Sequence, residues 1–134
     1  PVKDLVAGEK VLVDVSFESC GAPIDEIRLD VWNDSGVPAT QLSSRFQGHG
    51  TLDADRGTMR FTVENLPLPY GRYRMGAVCR SHRRLSDSVP NAAVFTVSTG
   101  SIYRTKLASR SDRCTVMIPF DCELKPLERV DSVR

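Results

Sequence analysis

The chain has 134 residues, with 18 Lys and Arg against 17 Asp and Glu and a formal net charge of +1. This length is near the commonest domain size, so we expect a single domain with one core. The near-neutral charge argues against bulk attraction to nucleic acid or membranes as the main activity, and no apolar run is long enough to span a bilayer. Because the chain begins at Pro1 without a leader sequence, we expect it to be a piece of a longer protein.

The first predicted elements are a turn over residues 5–10, a strand over residues 11–17 and a second strand over residues 24–33. Both strands alternate apolar and polar residues with a period of two, which is typical of half-buried β-strands. The inward side chains of the first strand are Val11, Val13, Val15 and Phe17. The second strand points Ile27, Leu29 and Val31 to the core and leaves the opposite face to Glu26, Arg28, Asp30 and Trp32.

A turn is predicted at residues 33–36, because Asn, Asp and Ser bond to their own backbone and Gly accepts a positive φ. Beyond this turn, residues 40–47 predict a weaker strand. Residues 47–57 contain three Gly and two Asp, and they predict a long loop.

The most informative region is residues 63–73, where a turn rich in Pro and Gly joins two strand-like runs. Before the turn, the apolar positions of the alternation are Met59, Phe61 and Val63. After the turn, Tyr73, Met75, Ala77 and Cys79 alternate with Arg72, Arg74, Gly76 and Arg80. Period-two patterning on both sides of such a turn predicts two sandwich strands.

Residues 86–91 are predicted to break the chain before a last clear strand over residues 92–98. Further strand candidates follow at residues 102–107 and 114–120. No window shows a helical apolar stripe, so the sequence predicts an all-β fold, an immunoglobulin-like antiparallel β-sandwich of about seven to nine strands. We expect residues 1–126 to form this single domain and residues 127–134 to form a C-terminal tail or short helix.

The four cysteines, Cys20, Cys79, Cys114 and Cys122, form an even number, which in a secreted chain would suggest two disulfides. The order Cys20, Trp32, Cys79 is similar to that of immunoglobulin domains, but Cys20 has the wrong phase to lie on the core face. A domain of this size folds without disulfides, so we expect reduced thiols. No Cys-x-x-Cys pair is present, and a zinc site is not predicted.

No motif in the sequence predicts catalysis. A phosphate-binding Gly-x-x-x-x-Gly-Lys-Ser/Thr sequence is absent, so we expect that this chain by itself is not an ATPase. The serines lack a Gly-x-Ser-x-Gly motif, and His49 is predicted to be a solvated loop residue. Asp53 and Asp55 lack the other acidic ligands of a calcium loop and are interpreted as part of a turn. We therefore predict a domain that is not an enzyme and has no metal and no cofactor.

One sheet face carries the best candidates for a binding site. In an immunoglobulin-like topology, the strand over residues 24–33 lies beside the strand over residues 71–80. Their shared exposed face would hold Arg28, Asp30, Trp32, Arg72, Arg74 and Gly76. Aromatic rings stack on the apolar C–H faces of sugars, Arg and Asp supply directional hydrogen bonds, and Gly76 would leave room for a ligand. Alternatively, Trp32 packs under a neighbouring loop or subunit and the charged residues form a solvated face.

The pattern Asn65-Leu66-Pro67-Leu68-x-x-Gly71-x-Tyr73 resembles a known family. It is similar to the polysaccharide-binding C-terminal domain of the Wzt family, the ATP-binding subunits of transporters that export bacterial O-antigen chains. Three further stretches extend the resemblance over roughly residues 5–100, namely Leu5-x-Ala7-Gly8-Glu9, Asp34-Ser35-Gly36 and Ala93-x-Phe95-x-Val97. Residues 101–134 match nothing in that family.

In the Wzt family this domain follows the cytoplasmic nucleotide-binding domain, is a β-sandwich, forms dimers and recognises the exported glycan, often through a modified non-reducing end. The resemblance therefore implies a polysaccharide ligand, a homodimer, no nucleic acid, and two further partners, the nucleotide-binding domain and the membrane subunit of the transporter. It also implies a cytoplasmic location at the inner face of the inner membrane and a full-length parent that is an ABC-transporter ATPase.

By this resemblance, the candidates for glycan contact are Trp32, Arg28, Asp30, Arg72 and Arg74. The motif itself fixes none of them, because its Pro, Gly and Leu residues serve the turn and the core. The density of Arg in residues 72–84 indicates an anionic glycan carrying phosphate or carboxylate.

Two other functions are compatible with the sequence. An immunoglobulin-like protein-interaction or adhesion domain would use Trp32 as a hot spot for a protein partner. A glycan-active enzyme would need a pair of catalytic carboxylates, and the sequence offers no convincing pair.

Overall fold

The computed structural model describes residues 2–19, 21–81, 84–100, 103, 110–111 and 113–127. These residues form seven strands: β1 (Lys3–Val6), β2 (Val11–Glu18), β3 (Ile24–Asn33), β4 (Pro38–Ser43), β5 (Arg56–Val63), β6 (Gly71–Ser81) and β7 (Arg84–Ser98). A short 3₁₀ helix, η1 (Ser44–Gln47), follows β4. Within the described ranges, no helix is long and apolar enough to cross a membrane.

The strands form two sheets that face each other. Five strands make the larger sheet in the order β1-β7-β6-β3-β4, and β2 pairs with β5 in a two-stranded sheet. The prediction of an all-β sandwich is confirmed. Its antiparallel pairing also holds, apart from the edge strand β1, which runs parallel to β7.

The core lies between the two sheets and follows the predicted alternation. Buried side chains from the larger sheet are Leu29, Val31, Tyr73, Met75, Phe95 and Val97. Half-buried side chains from the smaller sheet are Val11, Val13, Val15 and Phe61. Burying an aliphatic or aromatic side chain contributes about 1.5–3 kcal/mol relative to leaving it exposed. Burial therefore stabilises the orientation in which these side chains of each strand face the core.

Tyr73 ties the turn before β6 to the core. Its side chain is 1% exposed, and its hydroxyl donates a hydrogen bond of 2.7 Å to the Pro69 carbonyl. Its ring stacks on Phe95, with ring centroids 5.4 Å apart. Burial raises the pKa of Tyr73 to about 12, so the phenol stays neutral and keeps its donor role. A tyrosine bonded back to the preceding backbone also occurs in immunoglobulin-like sandwiches.

The predicted break over residues 86–91 is wrong, since β7 continues through it. The register between β6 and β7 shifts at this point, because Met75 pairs with Ala93 while Ala77 pairs with Val89. Pro90 lies in the resulting bulge. Proline has no N–H, and a bulge is where a strand can accept it without losing a ladder hydrogen bond.

The predicted strand over residues 114–120 is also wrong. The described residues 113–127 form no ladder, and Met117 joins this segment to the core. Met117 is 3% exposed, and its N–H donates a hydrogen bond of 2.5 Å to the Pro67 carbonyl. Val116, Ile118 and Phe120 are exposed. The predicted strand over residues 102–107 and the tail after residue 127 lie outside the described residues.

The weak strand predicted over residues 40–47 ends earlier. Ser43 is the last residue of β4, and its hydroxyl accepts a hydrogen bond of 3.1 Å from the Arg45 N–H, which starts η1. Among the cysteines that the structure describes, Cys79, Cys114 and Cys122 are free thiols. Burial raises the pKa of the Cys79 thiol, which favours its protonated form. Cys20 lies outside the described residues.

Replacing Tyr73 by Phe should destabilise the domain, because it leaves the buried Pro69 carbonyl without its donor. We expect the free energy of unfolding to fall by about 1 kcal/mol, as measured by urea denaturation. Tyr70→Phe is the matched control, since Tyr70 is 49% exposed. Equal stabilities for the two variants would contradict the role given to this hydrogen bond.

Candidate functional site

The pairing of β3 with β6 creates the face that holds the predicted site residues. Trp32 pairs with Arg74, and Asp30 pairs with Gly76. Opposed residues of an antiparallel pair share one side of the sheet, so these side chains lie opposite the core. We call this side of the five-stranded sheet the outer face. The arrangement of Trp32 beside Arg74 follows the sequence prediction.

Arg28 and Asp30 are bound to each other on the outer face. The Arg28 Nε donates to Asp30 Oδ1 at 2.9 Å, and Nη2 donates to Oδ2 at 3.2 Å. Their side chains are only 19% and 11% exposed. Bidentate pairing uses the planar fork of the guanidinium, so two of its N–H donors and both carboxylate oxygens of Asp30 are already engaged. Contrary to the prediction of an exposed face, Asp30 is therefore a buried residue.

A second acidic residue, Glu26, extends this charged network along β3. It lies 3.2 Å from Nε of Arg80 and accepts a hydrogen bond of 2.5 Å from the Ser43 hydroxyl. Arg28 lies 4.0 Å from it on the other side. A buried carboxylate is tolerated only when it is paired and hydrogen-bonded. The network therefore explains how two acidic side chains are buried on a side of the sheet that faces away from the core.

Trp32 is half-buried and packs against Gly76. A Cβ atom built at Gly76 would lie 3.1 Å from Cζ3 of Trp32 and 3.1 Å from the Pro90 carbonyl oxygen. Because glycine has no side chain, the indole and the β7 bulge occupy the space beside Gly76. The expectation that Gly76 leaves room for a ligand is therefore wrong. The rest of the indole remains accessible.

Arg72 and Arg74 differ from Arg28 in having no compensating charge. Both are exposed on β6, and neither forms an ion pair with any described residue. Arg74 lies beside Trp32 in the register, and Arg72 lies two residues further along the same side of β6. The outer face therefore has a neutralised end around Asp30 and a positively charged end around Trp32.

A cavity of about 420 Å³ opens beside Arg72, where the outer face ends. Its walls include Asp34 and Ser35 from the turn after β3, together with Tyr70 and Arg110. The Arg110 guanidinium lies 6.0 Å from the centre of the Tyr70 ring. This distance is at the outer limit of a cation–π contact. The cavity adds an exposed aromatic ring and a guanidinium to the positively charged end of the face.

Sequence reasoning did not select Tyr70 or Arg110. Tyr70 carried a usable signal, because it is an aromatic residue between Pro69 and Gly71 in a turn and has no place in the core alternation. Arg110 carried none. It reaches this position through a parallel bridge between Tyr70 and Arg110, a contact between distant parts of the chain.

No metal site is evident in the part of the chain that the structure describes, where no group of three or more His, Cys, Asp or Glu could hold an ion. His49, Asp53 and Asp55 are exposed in the loop between η1 and β5, as predicted. The chemistry available on the outer face is an aromatic surface, two exposed guanidinium groups and hydroxyls nearby. These groups bind and orient a ligand by stacking, charge and hydrogen bonding.

Comparison with known proteins found no matching family model and no matching curated protein sequence. Among solved structures, the C-terminal domain of Wzt is similar to this chain, with a TM-score of 0.53 and 14% sequence identity. The match covers 71% of this chain and 63% of that one. A CARDB domain from Pyrococcus furiosus, solved with di-metal ions, matches over 73% of this chain and 80% of its own. Its sequence identity is 15%, and its TM-score of 0.38 is too low to indicate a shared fold. The chain therefore shares the fold of the Wzt domain.

The different surroundings of Arg28 and Arg74 predict different effects of the same substitution. Arg28→Ala leaves Asp30 buried without its partner, so we expect the free energy of unfolding to fall by about 1–3 kcal/mol. Arg74→Ala removes an exposed side chain that forms no ion pair with the described residues, and it should change the free energy of unfolding by less than about 0.5 kcal/mol. Urea denaturation of both variants checks this. Equal stabilities would show that the Arg28–Asp30 pair has no structural role.

Proposed function

We propose that this chain is a non-catalytic carbohydrate-binding domain that recognises a bacterial O-antigen polysaccharide, through its modified non-reducing end, for export by an ABC transporter. The observation that carries this proposal is the accessible indole of Trp32 beside two uncompensated arginines on a sheet face. The fold shared with the Wzt C-terminal domain supports it.

Stacking and charge give this surface two means of holding a sugar. The apolar C–H face of a pyranose packs on an indole, which removes apolar area from water. Arg74 and Arg72 then present planar donors that match carboxylate or phosphate groups. Arg28 and Asp30 were also predicted to contact the glycan. Because they bind each other, we propose that their main role is to stabilise this part of the outer face. They contact the ligand only through their remaining accessible atoms.

The proposed ligand is an anionic glycan, because the two arginines at this end of the outer face form no ion pair within the described residues. The chain as a whole is nearly neutral, with a net charge of +1. Arg28 and Arg80 are compensated by carboxylates, whereas Arg72 and Arg74 have no ion pair with any described residue. A local positive field of this kind attracts and orients a negatively charged ligand.

In the proposed context, the domain acts with the nucleotide-binding domain and the membrane subunit of the transporter at the cytoplasmic face of the inner membrane. ATP hydrolysis belongs to the nucleotide-binding domain, and we expect this chain alone neither to bind nor to hydrolyse ATP. Glycan recognition by this chain would select the polysaccharide that the membrane subunit exports. This context rests on the resemblance to the Wzt family.

Trp32→Ala should remove glycan binding while leaving the fold intact. We expect the affinity for the O polysaccharide of the source strain, released from its lipid, to fall about tenfold to a hundredfold through lost stacking and burial. Calorimetric titration measures the affinity, and the melting temperature reports on the fold. Trp32→Phe keeps a flat ring and should keep part of the affinity. Wild-type binding by Trp32→Ala would refute the site.

Arg74→Ala serves as a test of charge on the same surface. Its loss of affinity should be larger at low ionic strength than at high, because salt already screens an exposed charge. Lys10→Ala is a matched control, since Lys10 is an exposed cation outside the outer face. A loss that does not depend on salt would indicate a neutral ligand at this end of the face.

We also propose a homodimer, and the exposed apolar residues after Met117 support it. Ile118 and Phe120 are 64% and 67% exposed, and Leu124 and Leu127 are more exposed still. Exposed apolar side chains that follow one another within a single segment favour association with a second copy. Ile118→Asp should convert the dimer to a monomer in light scattering at high micromolar concentration, whereas Leu12→Asp, at a 49% exposed site on β2, should not. A monomeric wild-type chain would exclude the dimer.

A further inference from the structure

A second cleft lies away from the positively charged end of the outer face, between β4 with η1 on one side and β5 on the other. It has a volume of about 240 Å³. Phe46 stands in its wall with 66% of its surface exposed, although phenylalanine is a residue that proteins usually bury. We call this space the Phe46 cleft. An aromatic ring exposed next to a cleft is the first indication of a ligand site here.

The exposure of Phe46 results from an anchored turn. The Ser44 hydroxyl accepts a hydrogen bond of 3.1 Å from the Ile27 N–H, which fixes η1 to β3 and leaves Ser44 buried. The Ser43 hydroxyl bonds both to Glu26 and to the Arg45 N–H. Gly48 closes the turn in a left-handed conformation, with φ at 84°. These bonds hold the backbone on both sides of Phe46, so η1 presents this residue at the cleft.

The chemistry of the lining suits a polar ligand with an apolar face. Half-buried Met59 and Phe61 from β5 form an apolar base. Gln41 and Gln47 are exposed at the rim, and each side-chain amide offers both donors and an acceptor. Sugar hydroxyls require donors and acceptors together, and a pyranose ring also has an apolar C–H face for Phe46.

The charge of the cleft distinguishes it from the end of the outer face around Arg74. Arg60 lines the cleft, but its guanidinium is bound to Asp14 through bonds of 2.8 and 3.0 Å. This hydrogen-bonded partner holds the pKa of Asp14 below its usual range, so the pair stays ionised and mutually neutralised. Among the described lining residues there is no carboxylate. The cleft therefore favours a neutral ligand.

We propose that the Phe46 cleft is a second carbohydrate subsite, which binds a neutral sugar ring by stacking on Phe46 and by hydrogen bonding to Gln41 and Gln47. This inference rests on the proposed carbohydrate-binding function, but it concerns a separate site. Gln41 pairs in register with Asp30, which is two residues from Trp32 on the same strand. The cleft thus opens at the edge of the outer face, where a neutral part of the same polysaccharide could continue past Trp32.

The test titrates the full chain with neutral trisaccharides of glucose, galactose, mannose and N-acetylglucosamine, each taken separately. Heteronuclear NMR follows the side-chain amide signals of Gln41 and Gln47, which report on the cleft directly. Phe46→Leu keeps an apolar side chain and removes the flat ring, whereas Phe46→Tyr keeps the ring. Because Phe46 is exposed, neither substitution opens a core cavity, and melting temperatures verify that both variants fold.

We expect at least one trisaccharide to shift both amide signals saturably. Phe46→Tyr should retain this binding, and Phe46→Leu should weaken it about twofold to tenfold through lost stacking. Raising the salt concentration from about 0.05 M to about 0.5 M should leave the affinity unchanged, because the ligand is neutral. The absence of shifts with every trisaccharide would overturn the proposal. Equal binding by Phe46→Leu would also overturn it, since it would indicate a general apolar contact.

The Trp32→Ala variant separates this inference from the proposed function. Trisaccharide binding in the cleft should survive in Trp32→Ala, and binding of the intact polysaccharide at the outer face should survive in Phe46→Leu with reduced affinity. If the cleft binds no trisaccharide while Trp32→Ala still abolishes polysaccharide binding, only the second subsite is refuted. If Trp32→Ala binds the polysaccharide normally, the outer face is refuted whether or not the cleft binds sugar.

Discussion

The antiparallel register between β3 and β6 is the constraint on which the rest of the domain depends. It places Leu29 and Val31 in the core and sets Trp32 beside Arg74 on the other side. Successive side chains of a strand point to opposite faces, so a slip of one residue would exchange the two sets. The apolar set would then face water and the charged set would enter the core. The stability of the core and the composition of the outer face are thus fixed by the same hydrogen bonds.

Charge is distributed unevenly over the surface that this register creates. The carboxylates of Glu26 and Asp30 are buried and bind Arg28 and Arg80, so that end of the face is held together by its own charges. Breaking such a buried pair costs far more than removing an exposed charge. The other end, around Arg74, has charge that contributes little to stability and is therefore accessible for a ligand. The net charge of the chain does not reveal this difference between the two ends of the outer face, because it is a sum over all charged residues.

Strand periodicity allowed the core of the sandwich and the sharing of one face by β3 and β6 to be predicted from the sequence. Local rules failed where distant contacts decide the structure. Pro90 indicated a break, but the bulge opposite Gly76 accommodates it. The apolar run around Met117 indicated a strand, yet the described residues offer it no strand to pair with. The exposure of Phe46 was not predictable either, because it depends on a bond between separate elements, from Ile27 in β3 to Ser44 in η1.

The close contact at Gly76 makes the position of the Trp32 ring depend on a residue that has no side chain on the outer face. A methyl group at this position would meet the indole of Trp32 on one side and the Pro90 carbonyl on the other, each at 3.1 Å. One of them would have to move by a few tenths of an ångström. The ring edge is the softer of the two, because a side chain can rotate about its own bonds whereas the Pro90 carbonyl moves only with the backbone. A substitution at Gly76 would therefore tilt the Trp32 ring, and under the proposed function it would change which glycans fit the outer face.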